Sequence, residues 1–255
     1  MSAMRPILVT GGTGTLGRVV VRRLLSRGCP VRVLSRQAHT PGEHGWAVGD
    51  LVTGRGVEAA LSGAGTVVHC ATTKGGRDVA ATRRLVEAAR TAGAPHLLYV
   101  SIVGVDRVPF GYYRAKAECE LLVAESGLGW TVLRATQFHD LVARVLEGLS
   151  KAPVLLVPRG VSFQPVDVRD VAERVVELVE AGPAGRTDDF GGPQVRPVEA
   201  LAADFLRARG RRRPVLRAPL PGGAGRALRA GGNLVPAHPA GRTTFAQFLA
   251  ERYPA

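Results

Sequence analysis

The chain has 255 residues, 45% of them hydrophobic and 5% aromatic, with a formal net charge of +13. That length fits one large domain or a domain with a smaller lobe around an aliphatic core. The N-terminal run MSAMRPILVT lacks the apolar stretch of a signal peptide, and no window approaches the roughly 18–20 apolar residues of a membrane helix. Cys29, Cys70 and Cys119 are far apart and outside any CxxC spacing, which excludes a disulfide framework and a zinc-type metal site; a cytoplasmic protein is expected.

In chain order, PILVT (6–10) reads as a compact strand, followed by a glycine-rich turn and a helix over about 15–27. VRVLS (31–35), WAVGD (46–50), TVVHCA (66–71) and HLLYVS (96–101) read as further strands. GRGVEAALSG and DVAATRRLVEAARTAG carry helical spacing between them, and the second stops at Gly93. A helix holding YYRAK ends at SGLG and is followed by a strand at WTVLRA (130–135). Strands alternating with helices predict a parallel sheet covered on both faces.

After Thr136 the pattern loosens. It predicts a helix over about 140–149, a strand at 154–158, a helix over about 168–180, a strand near RTDDF and a helix over about 197–209. Residues 218–242 are rich in Gly and Pro and read as loop with at most one short helical turn, and TFAQFLAERY closes as a helix. The expected architecture is an α/β, Rossmann-type doubly wound parallel sheet in a single domain, with residues 1–135 as its core and 136–255 as a small, partly interleaved C-terminal lobe.

The positive charge invites a nucleic-acid reading. Almost all of it is arginine, the lysines being Lys74, Lys116 and Lys151, and it is spread along the chain apart from RARGRRRPVLR (207–217). That cluster follows a helix and reads as a solvated helix end and loop rather than a phosphate-binding patch. No nucleic-acid partner and no membrane association are expected.

VTGGTGTLG joins the first strand to the first helix, so Gly11, Gly14 and Gly17 stand where a dinucleotide fingerprint places its glycines. They allow a tight turn, close approach to a pyrophosphate and close helix–strand packing, while the helix N-terminus offers N–H groups and a positive dipole end. The second strand ends in Ser35 and Arg36 rather than in an acid. An acid there would bind the ribose of NAD; its absence, with a guanidinium able to pair with a 2′-phosphate, favours NADP(H) over NAD(H).

With VTGGTGTLG, GDL (49–51), VVHCA, LYVSIVG (98–104), YYRAK, LRATQFHD (133–140) and FQPVDVRDVAE (163–173) in order, the chain resembles the short-chain dehydrogenase/reductase superfamily. The similarity is greatest to its atypical, NmrA-like NAD(P)-binding branch. The resemblance implies cofactor contacts at Gly11, Thr13, Gly14, Thr15, Leu16, Gly17, Ser35 and Arg36. Further contacts would come from Asp50, Leu51, Cys70, Ala71, Thr72 and Lys116. It implies Ser101, Tyr112 and Lys116 as the catalytic set, with Asp78 where extended members have asparagine. Tyrosine's pKa near 10 is high for proton exchange at neutral pH, and a lysine cation lowers it. Tyr112 shares a helix face with Lys116, whereas Tyr113 lines up with Ala117, Leu121 and Ala124 in an apolar stripe and reads as a packing residue.

Gln137, Phe138 and His139 follow a strand directly and are expected to line the substrate pocket, with Phe163 and Gln164 as similar candidates. A lone histidine in that position also fits a structural role. VDVRDVAE reads as a capped helix start around Asp167 or Asp170. The expected function is NADP(H)-dependent hydride transfer to or from a small organic substrate bearing a carbonyl, imine, quinone-like group or activated double bond. An NAD(P)-dependent epimerase or dehydratase and a non-catalytic NADP-sensing regulator stay open, as does the choice between monomer and homodimer.

Overall fold

The computed structural model describes residues 5–40, 42–73 and 76–254. Residues 1–4, the start of the run read above for a leader, and Lys74 lie outside them. Two compact units divide the chain. Unit 1 comprises Met1–Ser101, Arg114–Leu133 and Ala172–Thr187; unit 2 comprises Ile102–Tyr113, Arg134–Val171 and Asp188–Ala255.

The elements run β1 (Ile7–Thr10), α1 (Gly17–Ser26), β2 (Val31–Ser35), β3 (Gly45–Val48), α2 (Val57–Leu61), β4 (Thr66–His69), α3 (Asp78–Thr91), β5 (His96–Ile102), α4 (Gly111–Ala124), β6 (Gly129–Ala135) and α5 (His139–Leu149). They continue β7 (Leu155–Pro158), β8 (Ser162–Phe163), α6 (Val168–Ala181), β9 (Gly185–Arg186), β10 (Arg196–Pro197), α7 (Val198–Ala208), β11 (Val215–Ala218), α8 (Gly222–Arg229) and α9 (Phe245–Arg252).

The chain folds on a seven-stranded parallel sheet in the order β3-β2-β1-β4-β5-β6-β9, the Rossmann arrangement expected from the alternating pattern. β1 is buried along its length, as a strand with helices on both faces must be. In unit 1 the aliphatic core gathers Leu8, Leu61, Val67, Leu85, Leu97 and Val123.

α4 corrects one expectation. Its buried face within unit 1 is Lys116, Cys119, Glu120 and Val123, whereas Leu121 of the expected apolar stripe is 60% exposed. Two polar residues on the covered side invert the pattern that hydrophobicity alone gives.

Unit 2 has its own core, built from Val142, Leu146, Leu155, Leu201, Phe205 and Leu249 among others. β7 and β11 form a parallel pair, and β8 and β10 an antiparallel one. β11 arises inside the arginine-rich run read as loop, and α8 is a full helix where at most one turn was expected. Asp167 caps α6, its Oδ1 accepting from Arg169 N at 2.7 Å, as the sequence suggested.

Candidate active site

Unit 1 carries the residues expected to hold a dinucleotide. Gly11 has φ +69°, and a Cβ there would lie 2.6 Å from the backbone N of Ala71. Its bare backbone therefore lets the glycine loop lie against the segment after β4, where Cys70 N donates to Thr10 O at 3.1 Å. A Cβ on Gly17 would run into the carbonyl of Gly11, so this glycine is needed for helix–loop packing. Gly14 differs: a Cβ there would meet only Gly11 O, at 3.1 Å, and Gly14 and Thr13 are exposed. Packing alone does not demand glycine at position 14, whereas a pyrophosphate lying on the loop does.

No side chain caps α1 and its first turn holds no acid, so neither offsets the positive end of its dipole. These features fit a dinucleotide. Thr15 is half-buried, and Leu16 is a core residue that can offer a ligand only backbone.

After β2, Ser35 Oγ lies 2.8 Å from His39 Nε2 and accepts from Gln37 N at 3.2 Å. His39 stacks on Trp46 with ring centroids 3.8 Å apart. Arg36 is exposed and makes no ion pair among the described residues, which leaves its guanidinium available. Asp50 Oδ1 accepts from Val52 N at 2.8 Å and so shapes its own turn, and Leu51 is buried in the core.

Asp78 opens α3 and is buried. Its carboxylate accepts from Thr72 Oγ1 at 2.8 Å, from Thr73 Oγ1 at 2.6 Å and from Thr73 N. It thus braces the loop that follows Cys70 and Ala71 through Thr72 and Thr73. Burial pushes the Cys70 thiol up to about 12, with the Lys116 cation pulling the other way, so the thiol stays neutral at physiological pH.

Ser101 is 3% exposed, and its Oγ has no hydrogen-bond partner. A buried hydroxyl without a partner is costly, and a ligand oxygen at that point would satisfy it. Lys116 Nζ donates to the carbonyl of Val100, the residue before Ser101, at 3.4 Å, and sits 4.7 Å from the Tyr99 ring centroid. Burial lowers its pKa, and the carboxylate of Asp78 opposes that shift.

A buried polar chain, which sequence reasoning missed, runs beneath these groups. Thr10 Oγ1 and His69 Nδ1 are 2.7 Å apart, and His69 Nε2 and Thr82 Oγ1 are 3.1 Å apart. Thr82 Oγ1 then donates to Cys119 Sγ at 3.3 Å. Burial drops His69 to about 3, with Lys116 adding to the effect, so its imidazole is neutral. A histidine inside an apolar strand read only as core, and nothing in the spacing marked Thr82 as its partner.

Unit 2 carries the remaining candidates. Tyr112 is 42% exposed and meets Tyr113 edge-on at 6.5 Å; it lies one helical turn before Lys116 on α4. Tyr113 packs on the unit 2 core and beside Phe110. Burial raises its pKa, and a hydrogen bond with Gln137 offsets part of that. Gln137 is buried: its Nε2 donates to Asn233 O at 3.1 Å and its Oε1 accepts from Gln164 N at 3.3 Å. Gln164 in turn donates to Gly192 O at 2.9 Å and accepts from Val235 N at 2.8 Å, so it braces loops. Phe138 is half-buried and bridges to Val166, and Phe163 packs on the core.

His139 is fully buried, with Nε2 2.9 Å from Thr243 O and rings of Phe245 and Phe248 at 5.6 and 5.2 Å. Burial lowers its pKa. It therefore acts as a neutral core histidine and lines no pocket, which corrects the expectation for that residue. Among the described residues no cluster of His, Cys, Asp or Glu could hold a metal ion, and no helix is long and apolar enough to cross a membrane.

Fold and glycine loop together define a dinucleotide-binding Rossmann protein. Residues 11–181 match the NAD(P)H-binding family model, and the chain belongs to that family. It is 31% identical over 214 residues to the (4-alkanoyl-5-oxo-2,5-dihydrofuran-3-yl)methyl phosphate reductase of Streptomyces griseus, covering 80% of this chain and 74% of the relative. It is also 31% identical over 215 residues to the NAD(P)H azoreductase of Xenophilus azovorans, with the same coverage. The solved NADPH-dependent quinone oxidoreductase of Escherichia coli superposes with a TM-score of 0.81 at 20% identity, covering 97% of this chain and 99% of that one. A nucleoside-diphosphate-sugar epimerase of Staphylococcus aureus reaches the same TM-score at 19% identity, covering 96% and 99%, so both likenesses speak for the fold.

Proposed function

We propose that the protein is an NADPH-dependent reductase of a small organic molecule, in the manner of the short-chain dehydrogenase/reductases. The observation that carries this reading is the pairing of an unpartnered, buried Ser101 hydroxyl with Lys116, whose ammonium is bonded to the carbonyl of the preceding residue, Val100. The azo and phosphate-bearing furan reductases among its relatives support the same class.

The bound nicotinamide supplies the hydride. Gly11, Gly14 and the first turn of α1 hold the pyrophosphate, and Arg36 pairs with the 2′-phosphate, with Ser35 beside it. Thr13 and Thr15 flank that loop, Asp50 and Leu51 border the adenine side, and Ala71 and Thr72 contribute the braced loop. Ser101 donates to the substrate oxygen and orients the reacting carbon. Tyr112 gives up the proton that completes reduction, and the Lys116 cation favours the phenolate left behind. Asp78 acts as a positioning residue through Thr72 and Thr73. Gln137 and Phe138 border the substrate in unit 2. The reading includes a cytoplasmic location and NADP(H) preferred over NAD(H).

The exposure of Tyr112 favours one alternative, a cofactor-binding regulator without turnover. Purified protein offered NADPH or NADH with quinone, azo, imine and enone acceptors separates the two. Acceptor-dependent oxidation of NADPH supports the reductase, and tight NADPH binding without turnover across the panel supports the regulator. Product formation with no net oxidation of cofactor would point to epimerase or dehydratase chemistry.

A further inference from the structure

We infer that unit 2 carries an anion site, formed by Lys151, Arg211, Arg212 and Arg213, that takes the oligophosphate group of a small molecule. The site is built from two turns that enter a pair of parallel strands from the same end. One turn follows α5, where Ser150 N donates to Leu146 O at 2.8 Å and Lys151 N to Gly148 O at 3.3 Å before β7 begins. The other follows α7. Gly210, at φ +61°, takes the left-handed position, with Gly210 N donating to Arg207 O at 3.0 Å and Arg211 N to Leu206 O at 2.9 Å. That double bond pattern ends a helix sharply and delivers Arg211–Arg213 to the start of β11. Leu155 N donates to Pro214 O at 2.9 Å, which ties the two turns together.

Cations at two helix C-termini complement the helix dipoles, and that accounts for some of them. Arg209 and Arg211 both reach Glu147, at 3.2 and 3.7 Å, and Arg211 Nη1 donates to the buried Ser150 Oγ at 2.8 Å. Arg207 pairs with Asp204, which also serves Arg196. Lys151, Arg212 and Arg213 make no ion pair among the described residues. With Arg211 and Ser150 they line an open cleft of about 540 Å³. What sets these three apart is that they lie together around one cleft, whereas Arg27 is held by Glu173 and Glu180.

Planar guanidinium groups around one cleft suit phosphate oxygens, which they bind through paired, charge-assisted hydrogen bonds. A second cleft of about 720 Å³ shares Arg211–Arg213 and adds Ala203, Leu206, Pro214 and Val215. A ligand with several phosphate charges and an apolar body fits that combination. Single-stranded nucleic acid fits less well, because neither lining holds an aromatic ring on which a base could stack.

The test is titration of the full chain with sodium tripolyphosphate in about 0.15 M salt, where long-range attraction is screened, with NADPH present to occupy the glycine loop. Binding should saturate at one equivalent. Lys151→Ser/Arg212→Ser/Arg213→Ser should weaken it at least tenfold, whereas Arg22→Ser/Arg83→Ser/Arg90→Ser, with the same change in formal charge, should leave it within twofold. Lysine side-chain NMR of the wild-type chain gives a second readout that needs no variant to fold. The Lys151 signal should move on titration while that of Lys116 stays in place. An equal loss in both triple variants, an unmoved Lys151 signal, or binding of oligouridine or anionic vesicles without tripolyphosphate binding would each overturn the assignment.

Discussion

Lys116 Nζ lies 4.7 Å from the centroid of the Tyr99 ring, and that ring is itself buried in the unit 1 core. A buried ammonium is tolerated where an aromatic face, a carbonyl and a carboxylate share its charge. Here those are Tyr99, Val100 and Asp78. Lys116→Met should lower kcat/KM at least about 100-fold, in the range that loss of acid–base assistance produces. Lys116→Arg should not restore activity, because the larger planar head does not fit the same place. Steady-state kinetics of both variants with circular dichroism as a folding control checks this.

Gly14 and Gly17 make a sharper pair of variants than either alone. Gly17→Ala places a Cβ against the Gly11 carbonyl and should cost about 1–3 kcal/mol of stability through overpacking. Gly14→Ala should lower the urea midpoint less than Gly17→Ala and weaken NADPH binding, since its Cβ meets only the Gly11 carbonyl oxygen, at 3.1 Å. Chemical denaturation and fluorescence titration of the two variants distinguish a glycine kept for packing from one kept for a ligand.

Arg36 decides cofactor choice in this account. Arg36→Glu should reverse the preference, with affinity for NADPH falling about 10–100-fold, the scale of a charge-assisted pair, and NADH changing little or improving. A preference that stays with NADPH in the variant would remove Arg36 from the 2′-phosphate contact.

Three buried histidines set the acid side of the stability curve. His69, His96 and His139 all have pKa values lowered by burial, His69 to about 3. In the unfolded chain each titrates near 6.5, so between these values the unfolded state binds more protons. Stability is therefore full above about pH 6.5 and falls as pH drops, by up to about 1.4 kcal/mol per pH unit for each histidine. Asp106 and Asp167 have lowered pKa values and join only below about pH 4, where the unfolded carboxylates protonate. Urea melts from pH 7.5 to 4.5 should show the decline, and His69→Gln should flatten part of it. A flat profile across that range would contradict the neutral assignment.

The sequence was most legible where local chemistry repeats a simple pattern. β1, the glycine loop and α1 follow from an apolar run, three glycines and helical spacing, and all stand where expected. β11 was hidden because its residues sit in a basic run, and its strand conformation depends on β7, a partner some sixty residues away. α8 was hidden by its glycines. Gly225 lies so close to the carbonyl of Leu220 that a Cβ would collide, and Leu228 is buried, so packing overrides low helix propensity. On α4, the covered positions Lys116 and Glu120 are charged, which no apolar stripe can announce. Among the site candidates, motif order singled out Ser101 and Lys116, while the burial of His139 depends on Phe245 and Phe248 far along the chain.

In the proposed reaction Tyr112, and not its neighbour Tyr113, delivers the proton. The direct measurement compares Tyr112→Phe and Tyr113→Phe for NADPH affinity and acceptor-dependent NADPH oxidation. The account predicts that Tyr112→Phe keeps cofactor affinity and loses turnover at least about 100-fold, while Tyr113→Phe loses some stability and keeps most of its activity. Full turnover in Tyr112→Phe would contradict it.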